Sequence, residues 1–228
     1  MLWPPQYIIR KHKLAKRIKL RMSKCHGLEI TVPPRFNIKN IPGVLEEHKA
    51  WIIKHFSITP PPEIVLPETI SLSAMNQAWK VLYVDVPTTR FEIIERPNQE
   101  LILIGKTKNQ VACQKELMIW ARNQANKYLS SELLTLSKLT QLHFTNITIR
   151  DQKTRWGSCT SNKTISLNYK LIFLPPRLMQ HVIIHELCHT KYLNHSTKFW
   201  QLVAMYDKDW EIHRRELRRA DQYIPSWI

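Results

Sequence analysis

The chain has 228 residues, 43% hydrophobic and 23% charged, which suits one large or two small globular domains with cores of their own and excludes the disordered and collagen-like classes. Four glycines against fourteen prolines leave no room for a glycine-rich phosphate loop, and neither a Walker nor a dinucleotide-binding fingerprint is present. Lys and Arg number 34 against 18 Asp and Glu, a net charge of +16, and a surplus of that size points to an anionic partner or surface.

Half of the surplus lies at one end, where residues 1–28 carry eight basic side chains, from Arg10 to Lys24, and no acid. Ile18-Lys19-Leu20-Arg21-Met22 and Leu28-Glu29-Ile30-Thr31-Val32 both alternate apolar and polar residues with period two, so a hairpin is expected. Lys19 and Arg21 then face away from the core. Basic residues 10–24 are thereby expected to meet nucleic acid or another polyanion, against the plainer reading of a solvated basic face. A short helix is expected over Val44–Phe56, ended by Thr59-Pro60-Pro61-Pro62.

Strand-like runs follow over residues 69–105, at Lys80–Val86, Phe91–Ile94 and Glu100–Ile104, with turn residues at Pro87-Thr88-Thr89 and Pro97-Asn98 between them. From about Val111 to Leu139 the period becomes helical, with Leu117, Trp120, Ala121, Ala125, Tyr128 and Leu129 three or four apart. The change of character places a boundary near residue 110, between a β-rich lobe over 1–110 and a second lobe over 111–228. Strands are expected at Asn146–Arg150 and Thr164–Asn168, then a helix opening after Pro175-Pro176, where proline costs no hydrogen bond. Cys25, Cys113, Cys159 and Cys188 form no C-x-x-C pair, which favours a reducing compartment. With no segment of signal-peptide or membrane-spanning character, a cytoplasmic protein without membrane insertion is expected.

The helix after Pro176 carries His185-Glu186-Leu187-Cys188-His189. Positions i and i+4 of a helix differ by about 40° around its axis, so both imidazoles leave one face a turn apart and can grip one metal ion. Glu186 lies to the side, within reach of a water on that metal, as in zinc hydrolases whose glutamate is the general base. A catalytic zinc takes a third protein ligand. His195, six residues past His189, is the best candidate, with Asn194 suited to a left-handed turn and Ser196 placed to cap a helix carrying Phe199 and Trp200. The spacing matches the metzincin signature, but Tyr192 stands at its glycine and no methionine turn follows. His181 is about 12 Å along the axis from His189, too far to share the ion, and reads as packing or as support for the ligands. Arg155, Tyr192 and His213 are candidates, by residue type alone, for stabilising an oxyanion.

Arg155-Trp156-Gly157-Ser158-Cys159, Ile165-Ser166-Leu167-Asn168, the His185–His189 motif, Asn194-His195-Ser196 and Phe199-Trp200, in that order behind Tyr7-Ile8-Ile9-Arg10 and the basic hairpin, resemble the YgjP-like metallopeptidase family, compact zincins related to SprT-like and Wss-type proteases. Gln180-His181 departs from the acidic and aromatic pair often found there in the family. The resemblance implies one zinc ion on His185, His189 and His195, Glu186 as general base, and a cleft lined by Trp156, Gly157, Ser158, Cys159 and the strand ending at Asn168; Tyr192 is a further substrate-binding candidate. The expected fold is α+β, a zincin-like lobe whose H-E-x-x-H helix packs on a short antiparallel sheet, behind the β-rich lobe. Peptide or protein is the expected substrate, added as a strand to an edge at 164–168. The alternatives are a zinc-dependent nucleotide or phosphoanhydride hydrolase, which the scarcity of glycine disfavours, and a protease recruited to nucleic acid by the basic ribbon. A second cluster, Arg214, Arg215, Arg218 and Arg219, also invites a nucleic-acid reading.

Overall fold

The computed structural model describes residues 3–5, 7–23, 27–56, 65–88 and 90–228, and the chain divides into two units, Met1–Glu63 and Ile64–Ile228. In the first, β1 (Tyr7–Lys11), β2 (Lys19–Ser23) and β3 (Gly27–Val32) form a sheet of order β1-β3-β2, with β1 parallel and β2 antiparallel to β3. The expected hairpin is thus β2–β3, and its Lys19 and Arg21 are exposed while Leu28, Ile30 and Val32 are fully buried. β3 is central, and even its Glu29 is buried, paired with Arg10 at 3.3 Å. Where one helix was expected there are two, α1 (Ile41–Glu47) and α2 (Lys49–Phe56), parted at His48. Ile41, Leu45 and Ile52 carry them onto the sheet's core. The proline cluster at 60–62 lies outside the described residues.

In the second unit, β4 (Thr69–Leu72), β5 (Gln77–Asp85), β6 (Glu92–Arg96) and β7 (Glu100–Gly105) form a sheet of order β4-β5-β7-β6, in which only β5 and β7 are parallel. Helix α3 (Gln110–Thr140) starts on Asn109, whose side chain accepts from the Ala112 N–H at 3.1 Å, and stops at Gln141 in a left-handed conformation. Its buried stripe, Leu117, Ala121, Ala125 and Leu129, has the helical period. Gln124, buried in that stripe, donates to Glu95 at 2.6 Å, and Trp120 donates to the same carboxylate at 2.8 Å, which ties α3 to β6.

The boundary expected near residue 110 is not where the units part. Trp79, Val81, Leu101 and Leu103 of the sheet share one core with α3 and with the histidine-bearing helix, because a sheet with one apolar face must bury it against the next elements of the chain. The division falls at 63/64 instead.

β8 (Asn146–Arg150), β9 (Gly157–Cys159) and β10 (Thr164–Asn168) make a third sheet of order β8-β10-β9. It is mixed rather than wholly antiparallel, since β8 runs parallel to β10 and β9 antiparallel to it. β10 is therefore the central strand and offers no edge; the edges are β8 and β9. Helix α4 (Pro176–Cys188) opens on Pro175-Pro176 and packs on β9 and β10. Leu178, Met179, Ile183 and Leu187 are fully buried, and truncating one of them to alanine costs about 2–5 kcal/mol. α5 (Thr197–Tyr206) and α6 (Trp210–Leu217) complete the unit. Among the described residues, no helix is long and apolar enough to cross a membrane.

Candidate metal centre

α4 ends at Cys188, and His189 caps it with helical φ −66° and ψ −18°, so the i, i+4 relation between His185 and His189 survives the end of the helix. The chain then reverses through turn bonds from Thr190 and Lys191 N–H to the Leu187 and Cys188 carbonyls, at 2.9 and 3.1 Å. Asn194 is not among the positive-φ residues; that succession of turns does what a left-handed residue was expected to do. Ser196 precedes α5 as expected, without a side-chain capping bond.

The turn brings His195 back onto the other two. His185 Nε2 lies 3.2 Å from His189 Nε2 and 3.1 Å from His195 Nε2. His189 is buried, His185 half-buried and His195 exposed. His189 Nδ1 lies 2.9 Å from the Tyr192 carbonyl oxygen, and since a carbonyl only accepts, Nδ1 carries the proton and the Nε2 lone pair faces its neighbours. α5 holds the rings in place. Phe199, fully buried, stacks on His189 with centroids 4.4 Å apart, and Trp200 stacks on His195 at 5.4 Å. Burial, helped by the other two histidines, holds His185 down at about 3, so all three rings favour the neutral, ligating form; His189 and His195 are also lowered by burial.

Glu186 is buried, and that pushes its carboxyl up to about 8 against a lowering pull from Arg155. Its Oε2 has no hydrogen-bond partner among the described residues. Gly157 explains how it fits. A Cβ there would lie 2.6 Å from Glu186 Oε1 and 2.7 Å from Cγ, so the β9 backbone approaches the carboxylate as only glycine allows.

Trp156 and Gly157 line a cavity of about 330 Å³ together with His185 and Glu186. Ser158 faces Ser166 across the β9–β10 ladder. Asn168 is elsewhere. It is 3% exposed, donates to the Gln152 and Arg155 carbonyls at 2.8 and 3.1 Å, and accepts from the Lys170 N–H; its amide is used up pinning residues 152–155. Tyr192 serves the centre through its carbonyl, and its ring is half-buried against the core.

His181 does not join the three. Its Nδ1 lies 2.5 Å from Asp207 Oδ2, and His213 Nδ1 lies 3.0 Å from both Asp207 oxygens, so a buried carboxylate ties α4 to α6. Asp207 carried no signal in the sequence, because what matters is a pairing across 26 residues. Arg214 and Arg218 also line the cavity; the sequence showed them only as part of a basic cluster.

The chain can be set beside known proteins on this geometry. No curated protein matches it. The metallopeptidase zymogen of Pyrococcus abyssi abylysin is similar at 25% identity over 33% of this chain and 76% of that one, with a TM-score of 0.31. The metallopeptidase zymogen of Methanocaldococcus jannaschii jannalysin is similar at 25% identity over 42% of this chain and 97% of that one, with a TM-score of 0.36. The family model of the YgjP-like metallopeptidase domain matches residues 16–220, which run through both units. The chain belongs to the YgjP-like metallopeptidase family.

Proposed function

We propose that the protein hydrolyses peptide bonds with one zinc ion held by His185, His189 and His195 and with Glu186 as general base. The observation that carries this is the approach of His189 Nε2 and His195 Nε2 to His185 Nε2, at 3.2 and 3.1 Å, beside a buried carboxylate oxygen without a partner among the described residues. Tetrahedral bonds of about 2.0–2.1 Å to zinc set ligand nitrogens roughly 3.3 Å apart, and the two separations from His185 lie close to that value, which supports the reading.

Zinc bound there supplies a Lewis acid for the scissile carbonyl and makes a water acidic enough to attack near neutral pH. Glu186 takes the proton of the attacking water at Oε2 and passes it to the leaving nitrogen. Burial raises its carboxyl to about 8 and a neighbouring dication would pull it the other way, an opposition that suits a group that must both accept and return a proton. Trp156 and Val182 wall the cavity. The peptide docks along β9, whose outer side is an edge of the sheet, so main-chain hydrogen bonds supply affinity at Gly157–Cys159.

Metal analysis tests the centre. About one zinc per chain is expected, lost in His185→Ala, and full metal content in that variant overturns the ligand set. Glu186→Gln keeps the zinc and loses hydrolysis by about 10²-fold or more; full activity removes the proposed base. Nucleic acid at basic residues 10–24 draws no support from the relatives. Binding to an oligonucleotide that falls steeply with salt supports it, and absent or salt-independent binding returns those charges to a solvated face.

A further inference from the structure

The cavity beside Glu186 continues onto the end of α6, where its wall is charged. Arg214, Leu217 and Arg218 line it together with Trp156 and Gly157, and the two arginines, four residues apart, share one face of the helix end. Neither lies within ion-pair distance of a carboxylate among the described residues, whereas Arg177 is paired with Glu216 at 2.6 Å. Glu211 shares a neighbouring hollow with them without pairing.

An exposed arginine on a bare surface sweeps through solvent, but Arg214 is held. Its guanidinium carbon lies 4.7 Å from the centroid of the Trp200 ring. Trp200 is itself stacked on Trp210 at 4.4 Å and on His195 at 5.4 Å. A planar cation lying on an aromatic face keeps its N–H edge free for an acceptor in its own plane. The position is therefore fixed and the charge left without a counter-ion, next to the atoms that would do the chemistry.

We propose that this cavity selects substrates carrying a carboxylate beside the scissile bond, received by Arg214 and Arg218. It rests on the peptidase reading above and adds the substrate class to it. A guanidinium pair matches a planar, two-oxygen anion, and Trp156, Val182 and Leu217 beside it lower the local dielectric in which that contact is made. The carboxylate has two sources, the side chain of an internal Asp or Glu and the free C-terminus of a peptide.

Zinc-loaded Glu186→Gln protein is offered heptapeptide pools with randomised flanks, and the bound fraction is quantified by mass spectrometry. The pools carry an internal Glu with an amidated C-terminus, Gln with an amide, Gln with a free carboxylate, or Lys with an amide. One acidic pool is expected to bind about tenfold more tightly than the Gln amide. An advantage of the internal Glu marks a side-chain pocket, and one of the free C-terminus marks recognition of the chain end. Adding Arg214→Gln or Arg218→Gln abolishes the advantage, and Arg218→Glu turns it toward Lys. Arg219→Gln, which removes the same charge outside the cavity, keeps it. Equal binding of all pools overturns the proposal, and so does an equal loss in Arg219→Gln, which assigns the effect to bulk charge. Wild-type protein scores the parent reading separately: hydrolysis without carboxylate preference overturns the pocket alone. Carboxylate-selective binding by a chain that takes up no zinc overturns the peptidase reading alone.

Discussion

Gly157→Ala is the sharpest probe of how β9 and α4 make the centre together. The new Cβ would stand 2.6 Å from Oε1, 2.7 Å from Cγ and 2.9 Å from Cδ of Glu186. Carbon atoms settle at about 3.5–4.0 Å, so the carboxylate arm or the strand must give by about 0.8 Å or more. Glu186 is buried, and the room it can retreat into is the cavity it helps to line, away from the position the strand gives it. Misplacing a reacting group by about 1 Å costs on the order of 10²-fold in rate, and overpacking of this kind costs about 1–3 kcal/mol of stability. Neither change touches a histidine. Zinc content is therefore expected to stay at the wild-type level while kcat/KM on a cleaved peptide drops about 100-fold and Tm falls by a few degrees. A variant within twofold of wild type in kcat/KM would refute the claim that the β9 backbone fixes Glu186, and loss of zinc with activity would show that β9 supports the histidines instead.

Asn168→Ala leaves the Gln152 and Arg155 carbonyls without their donor, at about 1–3 kcal/mol for each group that stays buried; denaturant unfolding should show the loss, and kcat should fall because the freed segment leads into Trp156. Trp200→Ala removes the ring stacked on His195, and competition with a chelator should show zinc affinity reduced about 10–100-fold, with most of it restored by Trp200→Phe. In chelator-treated protein, His185 is held down at about 3 from 6.5, so its contribution is intact above 6.5 and is lost as pH falls from there. Glu186 is raised from 4.5 to about 8, so its contribution is intact below 4.5 and is lost as pH rises to about 8. Lowered His181, His189 and His195 act in the direction of His185. Stability measured by denaturant across pH should then peak near 6.5 and decline on both sides; a steady rise to pH 9 would contradict the burial of Glu186.

The parts of this architecture that were legible in the sequence are those written in local period and spacing. α3 shows its 3.6-residue stripe, β10 occupies the expected residues 164–168, and the three histidines are separated by intervals that geometry alone can interpret. What escaped depends on pairing at a distance. Nothing within 164–168 says that β8 will pair along one side and β9 along the other, so an interior strand reads like an edge. A three-residue strand such as β9 is too short for any period. The lobe boundary failed for a related reason: a change from strands to helices marks a change of element, whereas a domain ends where a shared core ends. Asp207 is an ordinary acid in sequence and acquires meaning only between His181 and His213.

Two of the three proposed ligands sit on one helix and its cap, but His195 hangs from the returning chain and rests on Trp200. An ion bound by all three would act as a clasp that closes the 189–195 turn and fastens the start of α5 to the end of α4. Chelation should then do more than silence the chemistry. It should loosen a segment on which Arg214 also depends through its perch on Trp200, so that amide exchange and proteolytic nicking rise first over residues 190–200, and metal occupancy becomes a determinant of how long the protein survives in the cell.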